Sequence, residues 1–325
     1  MARHAPPQIT PQKELLVPQR IAVTGATGLI GTALCHALIA RGDSVVAFSR
    51  NPSQRNRLPA TVTVAPWLPH DARATAAALH GCDAIVNLVG ASIAGTRWTD
   101  RYKDILWQSR VPATANLVAA CALLDTPPQT LISSSGSGYY GFRNHTFPVT
   151  EDSPAGDDYL AGLCVAWESA AIAAEQLGMR VAIVRTSVVL DAREGALPLM
   201  ALPFRLWVGG RVGSGTQPIA WIHRDDLVSL MLYLIDQPTA RGAYNAVAPE
   251  CVDNAMFSAA IAHTLHRPNW LPVPAFVLRL VFGEMADALL LNGQTMQSDR
   301  LAAAEVGYRY GSLIPALQNL WERPA

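Results

Sequence analysis

Three regularly spaced glycines are the first candidates for chemistry in this sequence. Gly25, Gly28 and Gly31 stand in RIAVTGATGLIGTA, directly after the apolar run 21–23. Glycine permits a sharp turn and lets a phosphate approach the main-chain amides, and a following helix N-terminus adds partial positive charge. Between a strand and a helix, this spacing predicts a dinucleotide-binding turn, although it is GxxGxxG rather than GxGxxG. A glycine-rich packing corner is the alternative. The predicted contacts are Gly25, Thr27, Gly28, Leu29, Ile30 and Gly31.

The end of the second predicted strand indicates which nucleotide would bind. NAD-binding turns usually place an acid there, which bonds the ribose 2′-hydroxyl. This strand instead ends in Ser49 and Arg50, with no acid at its tip. A hydroxyl and a guanidinium suit the 2′-phosphate of NADP(H). A solvated loop arginine is the alternative, but the position favours NADP(H).

The elements around these residues alternate between short apolar strands and alanine-rich helices. Strands are predicted at 20–24, 44–49, 61–65, 84–88, 130–134 and 180–190, and helices at 29–40, 72–80, 100–124 and 160–177. Continuous apolar strands that alternate with helices predict an α/β fold, a Rossmann-type doubly wound parallel sheet. We expect a disordered tail over 1–19, an NADP-binding domain over 20–190, and a smaller substrate lobe with a helical C-terminal segment over 191–325, interleaved with the first domain.

Composition excludes several other classes of protein. The 325 residues are 50% hydrophobic and carry zero formal net charge, so we expect no nucleic-acid partner and no membrane partner. No apolar run is long enough to span a bilayer, and the N-terminus lacks a secretory signal. The five cysteines are scattered without metal-ligand spacing, as in a reducing cytosol, so we expect a cytoplasmic protein with no metal. A homodimer is one option for its assembly.

Three segments together resemble a known superfamily. TGATGLIG, NLVGA at 87–91 and SSSGSGYYG at 133–141 are similar to the extended short-chain dehydrogenases/reductases, and to their atypical NAD-dependent epimerase/dehydratase-like branch. The resemblance extends from about residue 20 to residue 320, through LPFRLWVGGRVGSGTQPIAWIHRDD and FGEMADALLLNGQ. Members share this fold; many carry only an epimerase label, and some are called cell-division inhibitors.

The resemblance implies further cofactor contacts in this chain. Ser49 and Arg50 would hold the 2′-phosphate, residues 88–90 would border the adenosine and pyrophosphate, and Val189 would lie against the nicotinamide. Arg110 would reach the cofactor, with a surface arginine as a nearly equal alternative. The contacts added in this way are Leu88, Val89, Gly90, Arg110, Ser133 and Val189.

The catalytic pair of the superfamily is missing from this sequence. Its reductases place a tyrosine four residues before a lysine on one helix, and the lysine lowers the pKa of the tyrosine. The chain has two lysines, Lys13 and Lys103, and neither follows a tyrosine at that spacing. Alignment on Glu168 puts Leu160 in the tyrosine position and Cys164 in the lysine position. Cys164 is either a thiol at the site or a small buried apolar residue.

A few polar residues remain as candidates for chemistry. Ser135, at the end of the fifth predicted strand, matches the catalytic serine and would polarise a substrate oxygen; Tyr140 would donate a proton or simply pack. Arg97, Gln217 and His223 are candidates for the substrate pocket. His223 alternatively belongs to a structural turn in which Asp225 or Asp226 caps the helix 227–235.

Two functions follow from these residues. The first is an NADP(H)-dependent oxidoreductase or epimerase-like enzyme that acts on a small carbonyl or alcohol. The second is a non-catalytic NADPH-binding sensor or partner-binding protein. The intact serine loop favours the first, whereas the lysine count favours the second.

Overall fold

A seven-stranded parallel sheet organises the fold. The structure, a computed structural model, describes residues 17–52, 55–141 and 148–322, so most of the predicted tail lies outside the described residues. The strands run in the order β3-β2-β1-β4-β5-β6-β10, and every neighbouring pair is parallel. Two small pairs, β7 with β9 and β8 with β11, lie outside this sheet. The strands are β1 (Arg20–Thr24), β2 (Ser44–Ser49), β3 (Thr63–Pro66), β4 (Ala84–Asn87), β5 (Thr130–Gly136), β6 (Arg180–Thr186), β7 (Val188–Leu190), β8 (Pro218–Ile219), β9 (Trp221–His223), β10 (Gly242–Ala246) and β11 (Val252–Asp253).

Several helices have an N-cap residue whose side chain accepts a hydrogen bond from a main-chain N–H of the first turn; Asp71, Thr99 and Asp158 are examples. Short 3-10 segments occur at Ser137–Tyr140 and Ala173–Leu177, and a π-helical turn at Asp287–Leu291. The α-helices are α1 (Leu29–Arg41), α2 (Ala72–Leu79), α3 (Asp100–Gln108), α4 (Val111–Cys121), α5 (Tyr159–Ile172), α6 (Ala196–Arg205), α7 (Arg224–Asp236), α8 (Asn254–Leu265), α9 (Ala275–Phe282), α10 (Glu284–Ala286), α11 (Asp299–Ala303) and α12 (Leu313–Glu322).

Helices cover both faces of the sheet, because alternate residues of each strand point to opposite sides. Ile21 and Val23 of β1 pack in the core that α1 and α7 close, whereas Ala22 packs in the core of α2, α4 and α5. A third core, around Trp221 and Phe257, joins α6, α8 and α12. These layers confirm the predicted doubly wound parallel sheet of the Rossmann type.

Two predicted elements are wrong in extent. The strand predicted over 180–190 breaks at Ser187, whose main-chain and side-chain donors both reach the carbonyl of Ala246; the chain then continues as β7 beside β9. The helix predicted over 100–124 is two helices, α3 and α4. Pro112 lies in the first turn of α4, where its missing N–H interrupts the helical hydrogen bonds.

Candidate functional site

The glycine turn joins β1 to α1 at the centre of the sheet. Gly25 has φ 64°, a left-handed conformation, and a Cβ there would lie 2.6 Å from the carbonyl oxygen of Leu88. A larger residue is therefore excluded by both backbone conformation and space. The end of β4 is fixed beside it, since the Leu88 N–H donates to the Thr24 hydroxyl and that hydroxyl donates to Asn87.

The start of α1 leaves main-chain donors available for an anion. Gly28 is the N-cap residue, has no side chain to cap the helix, and no acid lies in the first turn. The first N–H groups of a helix lack partners within the helix and attract phosphate. Leu29 and Ile30 follow in this first turn, and Thr27 precedes the cap. This geometry fits the phosphate-binding turn that the sequence predicts.

Gly31 allows the helix to pack closely on the turn. A Cβ at Gly31 would lie 2.3 Å from the Gly25 carbonyl oxygen and 2.6 Å from the Ala26 Cα, both rigid main-chain atoms. We therefore expect Gly31→Ala to lower the free energy of unfolding by about 1–2 kcal/mol, because overpacking forces the backbone to move. Urea unfolding measures this change. Gly162→Ala is the matched control, since a Cβ there meets nothing within 4 Å and should leave stability nearly unchanged or raise it; equal losses in the two variants would contradict the packing argument.

The end of β2 lies next to this turn, because β2 neighbours β1 in the sheet. Ser49 is buried; its hydroxyl donates to the Asn51 carbonyl at 3.1 Å and accepts from the Asn51 N–H at 3.2 Å. Arg50 is exposed at the strand end. Ser49 thus shapes the loop, while Arg50 presents its charge beside the glycine turn.

Arg57 is a further cation at this edge, in addition to the predicted contacts. Its guanidinium donates to the Thr27 carbonyl at 3.3 Å and pairs with Glu194. Arg57 therefore links the glycine turn to the loop that follows β7. Its position is set by long-range contacts, so the sequence around it gave no signal.

Residues 88–90 follow β4 at the carboxyl edge of the sheet, next to the glycine turn. We call the cleft along this edge the crevice, and Arg110 packs against Gly90 on it. A Cβ at Gly90 would lie 3.0 Å from the Arg110 Cζ, so the absence of a side chain at Gly90 leaves room for the Arg110 guanidinium. Arg110 donates to the Ala91 carbonyl at 2.8 Å and the Leu106 carbonyl at 3.2 Å, and its guanidinium lies over the Trp167 ring. The alternative of a surface arginine is wrong, because Arg110 is 8% exposed.

Arg110 carries a positive charge that no described carboxylate neutralises by an ion pair. Burial lowers its pKa from the ordinary arginine value, although the guanidinium stays charged at neutral pH. A buried cation that lacks a carboxylate partner is costly, and the carbonyls of Ala91 and Leu106 offset only part of that cost. The arrangement places an uncompensated charge behind the crevice edge.

The positions of the missing pair are apolar. Leu160 is buried, and packs in one cluster with Trp98, Met285 and Ala288, so the C-terminal segment covers the tyrosine position. Cys164 is 6% exposed, and its Sγ lies 3.8 Å from the Gly136 carbonyl. Burial, with a smaller contribution from Glu168, raises the pKa of the Cys164 thiol to about 11. Neither side chain can exchange a proton near neutral pH.

Thiol reactivity tests this assignment of Cys164. Burial also raises the pKa values of Cys35 and Cys121 to about 12, whereas Cys251 is exposed. Because the thiolate is the reactive form, we expect iodoacetamide at pH 8 to label Cys251 and to leave Cys164 unmodified in the native protein. Peptide mass spectrometry of labelled protein checks this, with urea-unfolded protein as the control. Rapid native labelling of Cys164 would show an accessible thiolate.

Ser135 belongs to a buried ionic network. Its hydroxyl donates to the Glu168 carboxylate at 2.7 Å, and the same carboxylate binds Arg185 through two hydrogen bonds of 2.9 Å. All three side chains are at least 93% buried. Burial lowers the pKa of Arg185, but the hydrogen bonds and charge of Glu168 outweigh this, so the pKa lies above the ordinary arginine value.

Tyr140 is the next member of this network. It has no exposed surface; its hydroxyl donates to the Asn245 amide oxygen at 2.6 Å and accepts from Arg185 at 3.0 Å. Burial raises its pKa above the ordinary tyrosine value. The structure therefore joins Ser135 and Tyr140 through Arg185, but it places the Tyr140 hydroxyl in the interior rather than at the crevice.

Three members of this network are not among the predicted site residues: Arg185, Glu151 and Asn245. Glu151 accepts from the Asn245 N–H and from the Asp299 N–H, and so ties β10 to the C-terminal segment. The signal for Arg185 was available, because an arginine within the apolar strand VAIVRTSVV requires a buried partner. The identity of that partner depends on the packing of α5 against β5 and β6.

The other predicted contacts fall in two environments. Val189 on β7 is partly buried against the same core as Ile30 and Leu88, whereas Val89 packs against the core on the opposite face. Ser133 has no exposed surface and accepts a hydrogen bond from Asn87.

The three substrate candidates do not form one cluster. Arg97 is exposed and donates to the Leu280 carbonyl at 3.5 Å; Gln217 is buried and donates to the Val212 and Leu290 carbonyls. His223 is buried and stacks on Tyr310.

The predicted cap of α7 is wrong. The helix begins at Arg224, and His223 is the N-cap residue, because its Nδ1 accepts the Asp225 N–H at 3.0 Å. Asp226 instead accepts the main-chain N–H groups of Arg309 and Tyr310, and burial raises its pKa. The His223 ring nitrogen supplies the capping acceptor, and Asp226 holds the C-terminal segment instead.

A groove of about 590 Å³ lies between α1 and α7, and Leu29 and Arg57 at the glycine turn are part of its lining. Its charged groups include the pairs Arg57–Glu194 and Arg224–Asp191, so these two arginines already have partners.

Across the described ranges, no group of three or more His, Cys, Asp or Glu side chains could hold a metal ion. No helix within the same ranges is long and apolar enough to cross a membrane.

The parallel sheet, the glycine turn at its centre and the acid-free end of β2 define a Rossmann-type nucleotide-binding protein. The profile of the NAD dependent epimerase/dehydratase family matches residues 21–247, and a domain of unknown function, DUF1731, matches residues 273–320. The chain belongs to the NAD dependent epimerase/dehydratase family.

Relatives along nearly the whole chain agree with this assignment. The chain is 38% identical to an epimerase family protein of Mycobacterium tuberculosis, over 94% of this chain and 98% of the relative. It is 36% identical to epimerase family protein YfhF of Bacillus subtilis, over 92% and 97%. The crystal structure of human epimerase family protein SDR39U1 with NADPH superposes with a TM-score of 0.83 at 34% identity, and covers 94% of this chain and all of that chain.

Proposed function

We propose that this protein binds NADP(H) at the carboxyl edge of its parallel sheet and holds it without the tyrosine–lysine chemistry of the superfamily. The observation that carries the proposal is the turn from β1 to α1, in which Gly25 and Gly31 leave no room for a side chain. The free N-terminus of α1 then faces the site of a pyrophosphate. The human relative that contains NADPH supports the same cofactor in this chain.

The preference for NADP(H) over NAD(H) rests on the end of β2. A guanidinium forms charge-assisted hydrogen bonds with a phosphate, and no acid stands there to repel that phosphate. Arg50 is exposed, and Ser49 fixes the loop that carries it. We propose that Arg50 binds the 2′-phosphate, with the β4 edge and Arg110 on the other side of the nucleotide.

Among the described residues, the positions of the tyrosine–lysine pair carry no proton donor. Leu160 and Cys164 occupy the positions of the pair, and the Tyr140 hydroxyl is engaged in the interior. We therefore propose a binding protein, a sensor or partner-binding module that responds to NADPH, as the leading function.

A second candidate is an oxidoreductase, and the charge of Arg110 favours it. When bound, NADPH supplies a hydride for the reduction of a carbonyl. In this candidate the guanidinium of Arg110 stabilises the resulting alkoxide, and solvent water provides the proton. The buried charge beside Gly90, free of any ion pair with a described carboxylate, is the specific observation for this role.

Two measurements separate these functions. Fluorescence titration with NADPH and NADH tests binding; equal affinities, or no binding, would overturn the cofactor proposal. NADPH oxidation at high enzyme concentration, with a panel of small carbonyl compounds, tests turnover. Turnover by the wild type would establish the oxidoreductase, and a loss of that turnover in Arg110→Gln would support the role of Arg110. Turnover that survives Ser135→Ala would remove Ser135 from catalysis. Tight NADPH binding without turnover across the panel supports the binding protein.

A further inference from the structure

Exposed apolar side chains are concentrated on one part of the surface. Two segments, 199–208 and 270–281, contain ten of the 19 large apolar side chains that are exposed among the described residues. The first segment contributes Leu199, Leu202, Leu206, Trp207 and Val208, which are 42–66% exposed. An apolar surface of this density marks an interaction site rather than ordinary surface variation.

The two segments run side by side where residues 207–213 lie next to residues 270–273. The Trp270 indole donates to the Trp207 carbonyl at 2.9 Å, and the main-chain N–H groups of Trp270 and Leu271 donate to the Gly209 carbonyl. The second segment contributes Trp270, Leu271, Phe276, Leu280 and Val281, which are 43–76% exposed. We call the exposed apolar side chains of these two segments the tryptophan face.

Trp207 has an unusual conformation at the centre of this surface. Its φ of 66° lies in the left-handed region, which bulky residues rarely adopt, yet its side chain is 58% exposed. A side chain that is this exposed buries little apolar area on folding, so its burial does little to offset the cost of the strained backbone. Strain of this kind concentrates at binding sites, where the contact with the partner justifies it.

The two segments of the tryptophan face contain arginines and no acidic residue. No Asp or Glu occurs over residues 195–224 or 254–283, although the whole chain has zero net charge. Arg205 and Arg211 are exposed, and Arg267 lies over the Trp207 ring at 4.6 Å. None of these three forms an ion pair with a described carboxylate, whereas Arg279 is already paired with Asp287.

We propose that the tryptophan face docks onto an anionic lipid surface. Tryptophan and arginine beside exposed Leu and Phe are the side chains that bind the interface between headgroups and acyl chains. Arginines without ion-pair partners add attraction to anionic headgroups. A second copy is the less favourable occupant, because a twofold contact through this face would bring these arginines together. The proposal departs from the expectation of no membrane partner, because neutrality of the whole chain conceals a local positive surface.

Vesicle flotation of the full chain tests the proposal. We expect binding to vesicles that contain phosphatidylglycerol, weaker binding to pure phosphatidylcholine, and release as salt rises. Leu206→Ser together with Phe276→Ser should lower the partition coefficient at least about ten-fold, because two apolar side chains leave the lipid. Arg205→Gln should lower it about five-fold. Leu123→Ser with Ile314→Ser is the matched control, since both residues are exposed and lie outside the tryptophan face.

The other occupants give different results, and each would overturn the proposal. A dimer in light scattering that dissociates in Leu206→Ser/Phe276→Ser, without vesicle binding by the wild type, would assign the face to a second copy. Vesicle binding only after removal of residues 1–16 would show that the N-terminal segment covers the face, and would overturn lipid docking by the full chain. An absence of vesicle binding by both the full chain and the chain without residues 1–16 would show that the face does not bind lipid. An equal loss of binding in Leu123→Ser/Ile314→Ser would show the same.

Discussion

Arg185→Met is expected to lower the free energy of unfolding by about 3–5 kcal/mol, because it leaves the Glu168 carboxylate buried without its cation. The two hydrogen bonds of 2.9 Å between these side chains are lost, and so is the donor to Tyr140. Methionine keeps much of the apolar volume, so the loss reports the charge rather than a cavity. Urea unfolding followed by circular dichroism measures the change.

A surface ion pair is the matched control for this prediction. Lys103 and Glu284 lie 2.6 Å apart, but their side chains are 24% and 53% exposed. Lys103→Met should therefore cost about 1 kcal/mol or less, since water already solvates both charges. Glu168→Gln combined with Arg185→Met should recover part of the loss, because both charges are then absent. A loss below 1 kcal/mol in Arg185→Met would show that the pair is not held in the interior.

Arg50→Ala is expected to weaken NADPH binding about ten- to a hundred-fold and to leave NADH binding nearly unchanged. The physical reason is the loss of charge-assisted hydrogen bonds to the 2′-phosphate, a group that NADH lacks. Parallel fluorescence titrations with the two nucleotides measure the selectivity. The selectivity should also fall as salt rises, because Arg50 is exposed and its charge is screened.

The control for Arg50 is an exposed arginine far from the glycine turn. Arg73 lies on α2 and is exposed, so Arg73→Ala should leave both affinities unchanged. Equal weakening of NADPH and NADH in Arg50→Ala would place the arginine on a part of the nucleotide that both share. An unchanged NADPH affinity would move the proposed 2′-phosphate contact to another cation, for which Arg57 at the Thr27 carbonyl is the next candidate.

The sequence by itself determined the Rossmann-type sheet, the glycine turn and the absence of a tyrosine–lysine pair. These features are local: strand periodicity, helix pattern and the spacing of Gly25, Gly28 and Gly31 act over a few residues. The count of two lysines excluded the pair without reference to any contact.

Tertiary structure decided what the polar residues do. Ser135 and Tyr140 look like catalytic residues in sequence, but Arg185 from another strand, together with Glu168, draws their hydroxyls into a buried network. Asp226 accepts the main-chain N–H groups of Arg309 and Tyr310 instead of capping α7, and Leu160 packs in one cluster with Met285 of the C-terminal segment. The partner of a buried charge or hydroxyl is set by groups tens of residues away, and the local pattern carries no information about them. Sequence therefore identified the cofactor turn, and three-dimensional packing determined which side chains remain free to act beside it.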